Sequence, residues 1–384
     1  MASGARFEQS FIRPTIILKF LRSETEGYLI RLNKACQKRS RKRDQPGAIG
    51  NAFTLQKNQS KKRPMRTRII PRTDLEASVL CLGTAEFGSV VEYSLSETII
   101  DRYIGEGGNV LDTAEVYAAW LPGGSHRSEE VLGQWLRNRN RNGLILSTKG
   151  AHPRLDSMDK PRMSRKEVES DLNSSLQRLG VNCVDLYWLH RDDPGTPVEE
   201  ILLMLQEFRK AGKIRYAGFS NWTLSRAEEA RVAAEKLGVP GFVGSQNQWS
   251  LAKADATKGD PTWAYIDDLF ANWHAQHGFA AFPYTPQASG YFRRLDNGSI
   301  GEASDLVKGL FHRPQNVNRY KRIKALQSET GFSVAEIVLG YLLGQSFPVF
   351  PIVGPKKTAD LDESLRAADV TLTADHLVFL TANT

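Results

Sequence analysis

The sequence predicts an α/β protein: a (β/α)8 TIM barrel with an N-terminal β-hairpin, preceded by a basic leader expected to be disordered. Three observations predict it. Short apolar runs recur near 79–83, 109–111, 144–148, 184–189, 214–218, 242–246, 279–284 and 348–352, eight in all. Amphipathic segments lie between them, and strands alternating with helices argue for βα units on a parallel sheet. Three consecutive runs end in polar residues, Asp112, Lys149 and His190, at the strand ends that face one mouth of a parallel barrel. An open doubly wound sheet is disfavoured, because no G-x-G-x-x-G follows an early strand.

Composition sets the frame. The chain has 384 residues, 41% apolar and 24% charged, enough for a full core. No apolar run approaches the roughly 18–20 residues of a spanning helix. Three cysteines, Cys36, Cys81 and Cys183, are too few and scattered for a disulfide framework or a zinc site; no metal is expected, and a reducing, cytoplasmic setting fits. The net charge of +8 is uneven. Residues 1–64 hold 15 Lys+Arg against 4 Asp+Glu, a net +11, and the remainder carries a net −3. The chain therefore divides into a leader, 1–64, and a barrel domain, 65–384. The leader reads as a disordered extension or translated upstream sequence, as an Arg-rich organelle-targeting segment, or as a nuclear-import or nucleic-acid-binding arm. Nucleic acid is otherwise not an expected partner.

Arg66–Ile70 and the turn-rich 71–76 predict a hairpin across the closed end of the barrel. Helix starts are expected where a hydroxyl precedes a glutamate by three residues: Ser94/Glu97, Ser164/Glu167, Thr196/Glu199 (with Pro197), Ser225/Glu228 and Ser333/Glu336. After Ser164, Val168, Leu172, Leu176 and Leu179 mark one apolar face, and Gly180 supplies the stop. The stretches 118–128, 252–262 and 292–315 read as longer loops able to cover a cofactor or substrate.

Taken singly, the polar strand ends are weak signals. An Asp after a strand is usually a cap, a tyrosine such as Tyr117 usually packing, and a lone His such as His190 usually structural. Their roles, however, are complementary. A phenol donates a proton readily near neutral pH only if its anion is stabilised, which the Lys149 ammonium would do by lowering the pKa of Tyr117. Asp112 would compensate a buried Lys149, and His190 would orient a carbonyl. A Schiff-base lyase or isomerase acting through Lys149 is the competing chemistry.

Asp112-Thr113-Ala114-Glu115-Val116-Tyr117, Thr148-Lys149 and Asp185-Leu186-Tyr187-Trp188-Leu189-His190 resemble the catalytic signatures of the aldo-keto reductases. Leu82-Gly83-Thr84, Ser128–Gly133 and Gly212–Asn221 are similar too, and the likeness runs from about Met65 to Asp375. It implies reduction of an aldehyde or ketone, a small-molecule carbonyl, by hydride from a nicotinamide cofactor, usually NADPH. Tyr117 would be the general acid, Lys149 and Asp112 its tuning pair, and His190 the residue that orients the carbonyl. Ser220, Asn221 and Gln246 match positions that hold the nicotinamide amide, and Tyr284 matches the ring that stacks on it. Gly354, Lys356 and Lys357 fall where phosphates bind, and Glu363 and Ser364 where adenine is contacted. Asp360 stands where a basic residue is common, which disfavours a 2′-phosphate and leaves NADH as the alternative. Gln287 and the 120–127 loop with His126 also depart from the pattern, and bear on substrate choice. Trp120, Trp222, Trp249 and Trp263 suggest an aromatic-walled site. The family includes channel-associated members, so a cofactor-binding regulatory or interaction subunit is the second functional class.

Overall fold

The computed structural model describes residues 64–121, 124–137 and 139–382. The leader, read as 1–64, lies outside the described residues except for Pro64. The chain opens with an antiparallel hairpin of β1 (Thr67–Ile69) and β2 (Glu76–Ser78), paired Thr67 to Ser78. Eight parallel strands follow: β3 (Cys81–Gly83), β4 (Val110–Asp112), β5 (Ile145–Gly150), β6 (Val184–Leu189), β7 (Ile214–Phe219), β8 (Gly244–Ser245), β9 (Ala280–Ala281) and β10 (Ile352–Val353). Each pairs with the next from β3 to β9, and β10 pairs back onto β3. Backbone bonds from Ala281 N to Pro348 O (3.0 Å) and from Phe350 N to Ala281 O (2.8 Å) join β9 to the segment entering β10, closing the ring. All eight expected strands are present.

Residues alternate across each strand, and that alternation builds both the core and the site. Cys81, Val110, Ile145, Leu186, Trp188, Phe282 and Phe350 fill the barrel interior together with Ile70, Leu75 and Ala77 of the hairpin, which plugs the end as expected. The residues of opposite parity, such as Leu82, Leu111, Leu146, Tyr187 and Leu189, pack in a larger cluster beneath the helices. Burial on both faces is what continuous apolar parallel strands require.

The helices are α1 (Tyr93–Gly105), α2 (Arg127–Leu136), α3 (Arg165–Leu179), α4 (Val198–Lys210), α5 (Leu224–Leu237), α6 (Asp268–His277), α7 (Tyr291–Asp296), α8 (Asp305–Phe311), α9 (Pro314–Thr330), α10 (Val334–Leu343), α11 (Thr358–Arg366) and α12 (Ala374–Thr381). In α3 the Ser164 side chain accepts from Glu167 N, the expected leucines are buried, and Gly180 ends the helix at φ 68°. Ser333 and Glu336 form the full reciprocal box at α10. Three expected starts are displaced. Glu92 precedes α1 without a side-chain cap, Thr223 rather than Ser225 caps α5, and α4 begins at Val198 after Pro197. Thr196 instead donates to Asp193 (2.7 Å). The stretch 292–315 is mostly helical rather than a loop, since short helices there bury Tyr291, Phe292, Leu310 and Phe311.

Candidate active site

Strand parity directs the polar ends inward. Val110 lies in the interior, and so does Asp112; Ile145 sets the same course for Ser147 and Lys149, and Leu186 and Trp188 for His190. The result is a buried hydrogen-bonded network. Lys149 Nζ donates to Asp112 Oδ2 at 2.6 Å and to the Thr113 carbonyl at 2.7 Å, with both charged side chains almost wholly buried. The other carboxylate oxygen of Asp112 accepts from Ser147 Oγ (2.7 Å) and Gln246 Nε2 (3.0 Å). Trp188 Nε1 in turn donates to Ser147 Oγ (2.7 Å). Removing one partner of such an ion pair would leave an uncompensated charge, at a cost of about 3–5 kcal/mol.

Tyr117 sits on the loop after β4, half-buried, with the Lys149 ammonium 4.6 Å from its ring centre. His190 meets its edge at 5.9 Å and Trp120 at 6.2 Å. Burial pushes the Tyr117 phenol above its ordinary pKa; the Lys149 ammonium pulls it down and the Asp112 carboxylate pushes it up again. The net direction is upward, so the expected acidification is outweighed by burial. Burial alone would lower Lys149, but Asp112 and Tyr117 hold it above its usual value. Burial, aided by His152, Arg191 and Lys149, drives His190 well down, leaving a neutral imidazole whose Nδ1 is buried without a partner. His152 stacks edge-on against it at 4.8 Å and is itself lowered to about 4 by burial and by Arg191.

A second cluster adjoins this one through Gln246. Ser220 Oγ donates to the Gln246 carbonyl (2.6 Å), and Asn221, at φ 61°, gives Nδ2 to His190 O (3.2 Å). Tyr284 Oη donates to Asn221 Oδ1 (2.7 Å), leaving the ring half-exposed. Nearby, Gln248, whose backbone bridges to both Tyr265 and Tyr284, has a buried Nε2 with no partner.

The third group lies at the start of α11. Gly354, Lys356 and Lys357 are exposed, and Lys356 Nζ lies 3.3 Å from Glu86. Lys357 precedes the helix without a side-chain cap, so no side chain of the helix start occupies the N–H groups of Thr358 and Ala359, while Asp360 N bonds the Lys357 carbonyl (3.1 Å). Asp360 and Glu363 both meet Arg293 of α7, at 3.0 and 3.3 Å, and Ser364 accepts from Gln287 Nε2 (2.9 Å). Sequence reading passed over Arg293, Arg191, His152 and Gln248. Arg191 and His152 stand next to recognised strand ends and were within reach of it; Arg293 comes from a helix read as loop.

The family model described as "Aldo/keto reductase family" matches residues 79–381. The chain belongs to that family. "Norsolorinic acid reductase B" of Dothistroma septosporum is 26% identical, over 79% of this chain and 78% of its own. The "Probable voltage-gated potassium channel subunit beta" of Arabidopsis thaliana is 25% identical, over 80% of this chain and 92% of its own. A crystal structure of the thermostable aldo-keto reductase Tm1743 with the inhibitor epalrestat superposes with a TM-score of 0.62. It is 22% identical, covering 83% of this chain and 99% of that one, and bears on the fold. Family membership makes the protein an oxidoreductase of the carbonyl-reducing kind, and aldo-keto reductases use nicotinamide cofactors. Among the described residues no helix is long and apolar enough to cross a membrane.

Proposed function

We propose that the protein reduces an aldehyde or ketone to an alcohol with NADPH or NADH, with Tyr117 as the general acid. The observation that carries this is the buried Lys149–Asp112 pair set against the Tyr117 ring, with neutral His190 edge-on to the same ring.

The residues fit a nicotinamide cofactor. Tyr284 offers a half-exposed ring beside the polar groups of Ser220, Asn221 and Gln246, and the unpartnered Gln248 amide points to a further acceptor. The uncapped start of α11 with Lys356 and Lys357 suits phosphates. Gly354, where a side chain would meet open space, narrows nothing there. Asp360 opposes a 2′-phosphate, yet Arg293 already partners both Asp360 and Glu363, which favours NADPH over NADH more than Asp360 alone would. The cofactor, when bound, supplies the hydride.

The chain supplies the proton and the positioning. Tyr117 stays protonated at neutral pH because burial keeps its pKa high, and it gives its proton to the carbonyl oxygen as charge develops there. Lys149 stabilises the resulting phenolate electrostatically, and Asp112 keeps Lys149 charged and fixed. His190 donates a hydrogen bond to the same oxygen, turning the carbonyl toward Tyr117. A channel-subunit role finds support in the plant relative, but nothing among the described residues singles out a partner surface, and the intact proton-donor network favours catalysis.

The test is oxidation of NADPH and of NADH by a panel of aldehydes and ketones, with Tyr117→Phe alongside. Carbonyl-dependent turnover should fall by about a hundredfold or more in Tyr117→Phe while cofactor binding persists, since only the transferable proton is lost. A variant that turns over at the parental rate would refute the assignment of the acid.

A further inference from the structure

Arg191 follows His190 at the carboxyl end of β6 and is 7% exposed. Its Nε donates to Thr262 Oγ1 (2.9 Å) on the loop over the mouth, and its Nη1 to the His190 carbonyl (3.0 Å). Its Nη2 donates to no acceptor among the described residues, and no carboxylate there forms an ion pair with it. The Asp260 carboxylate acts on Arg191 from a distance, but its Oδ1 is engaged by Thr262 N (2.7 Å) and Thr262 Oγ1 (2.6 Å) rather than by the guanidinium. Arg226, buried to a similar degree, pairs with Asp192 and Glu229. Arg319 also lacks a counter-charge, but it is spent on the Leu251 carbonyl and its charge registers at Tyr341 rather than at the site.

A guanidinium withdrawn from water without an anion is costly, and an incoming anion would recover that cost. Its bonds to the His190 carbonyl and to Thr262 hold it beside that histidine, and its charge reaches Tyr117, Tyr284, His190 and His152. Its neighbours do not compete for an anion. Lys149 is sealed by Asp112, and both imidazoles are neutral. Guanidinium also suits carboxylate better than any other basic side chain does.

We infer that Arg191 is a specificity residue that receives the carboxylate of the carbonyl substrate, so that the favoured substrates are oxo acids rather than neutral aldehydes or ketones. This rests on the reductase reading above and names its substrate class.

The experiment uses the full chain with NADPH and NADH and two matched pairs of probes: 4-oxobutanoate against butanal, and 4-carboxybenzaldehyde against 4-methylbenzaldehyde. The wild type should favour the acid of each pair in kcat/KM by about ten- to a hundredfold, the range of one charge-assisted hydrogen bond. In Arg191→Gln that ratio should collapse toward one, mainly through KM, and Arg191→Lys should keep part of it. A merely structural role, through Thr262 and the His190 carbonyl, would depress both members of a pair equally and leave the ratio unchanged. An unchanged ratio in Arg191→Gln, or a wild-type ratio near one, overturns the inference while leaving the reductase reading intact. The wild-type ratio decides alone if Arg191→Gln does not fold. If no carbonyl of either kind consumes cofactor, the reductase reading falls and the inference with it.

Discussion

Two imidazoles stacked under the mouth make the site sensitive to acid. His152 donates its Nδ1 proton to the Pro153 carbonyl (2.6 Å), and burial with the Arg191 charge lowers its pKa to about 4. Asp260 and Arg162 also face it, with opposite effects. An unfolded histidine titrates near 6.5, so between about 4 and 6.5 the unfolded chain binds the extra proton. Stability is thus full above about 6.5 and declines as the pH falls toward 4, by roughly 3 kcal/mol for this residue. His190, lowered more strongly by burial, adds to the same slope. Urea unfolding from pH 4 to 8 should therefore give a shallower acid limb in His152→Gln than in the parent. Identical limbs would mean that His152 is no less basic in the fold than out of it. None of this is legible in the sequence, because the direction of a pKa depends on burial and on charges from other strands. The same holds for Tyr117, whose acidification was the natural expectation from Lys149 alone.

At the scale of the element, what could be read from sequence depended on length and on parity. The strands were legible because they lie in short, mainly apolar runs that the barrel buries, and the same parity that fills the interior with Val110, Ile145 and Leu186 aims Asp112, Lys149 and His190 at one point. Helices of six or seven residues, as in α7 and α8, show less than two turns of periodicity and were read as loop. That hid Arg293, whose partners Asp360 and Glu363 lie about seventy residues away. Helix starts were legible to within two residues. The hydroxyl-to-glutamate pattern recurs inside first turns as well as at caps, so Ser225 was mistaken for the Thr223 that bonds Arg226 N. Thr223→Ala should therefore destabilise the fold by about 1 kcal/mol, and Ser225→Ala by much less. Equal losses in chemical denaturation would put the cap back at Ser225.

Across the whole molecule, charge is divided so unevenly that the two parts should behave as separate things. We propose that residues 65–384 form the catalytic barrel by themselves. Met65 is buried, its backbone N–H bonds the Glu106 carbonyl (2.9 Å), and from there the hairpin closes the interior. The preceding 64 residues carry a net +11 and the rest a net −3, so attraction to polyanions should reside in the leader alone. A chain that begins at Met65 should keep the parental melting temperature within a few degrees and the parental turnover. It should also lose retention on heparin or duplex DNA at low salt, which the full chain should show and lose steeply as salt is raised. A large drop in melting temperature on truncation would make residues 1–64 part of the fold. Retention that survives truncation would place the anion-binding surface on the barrel, where the exposed Lys356 and Lys357 would be the first residues to examine.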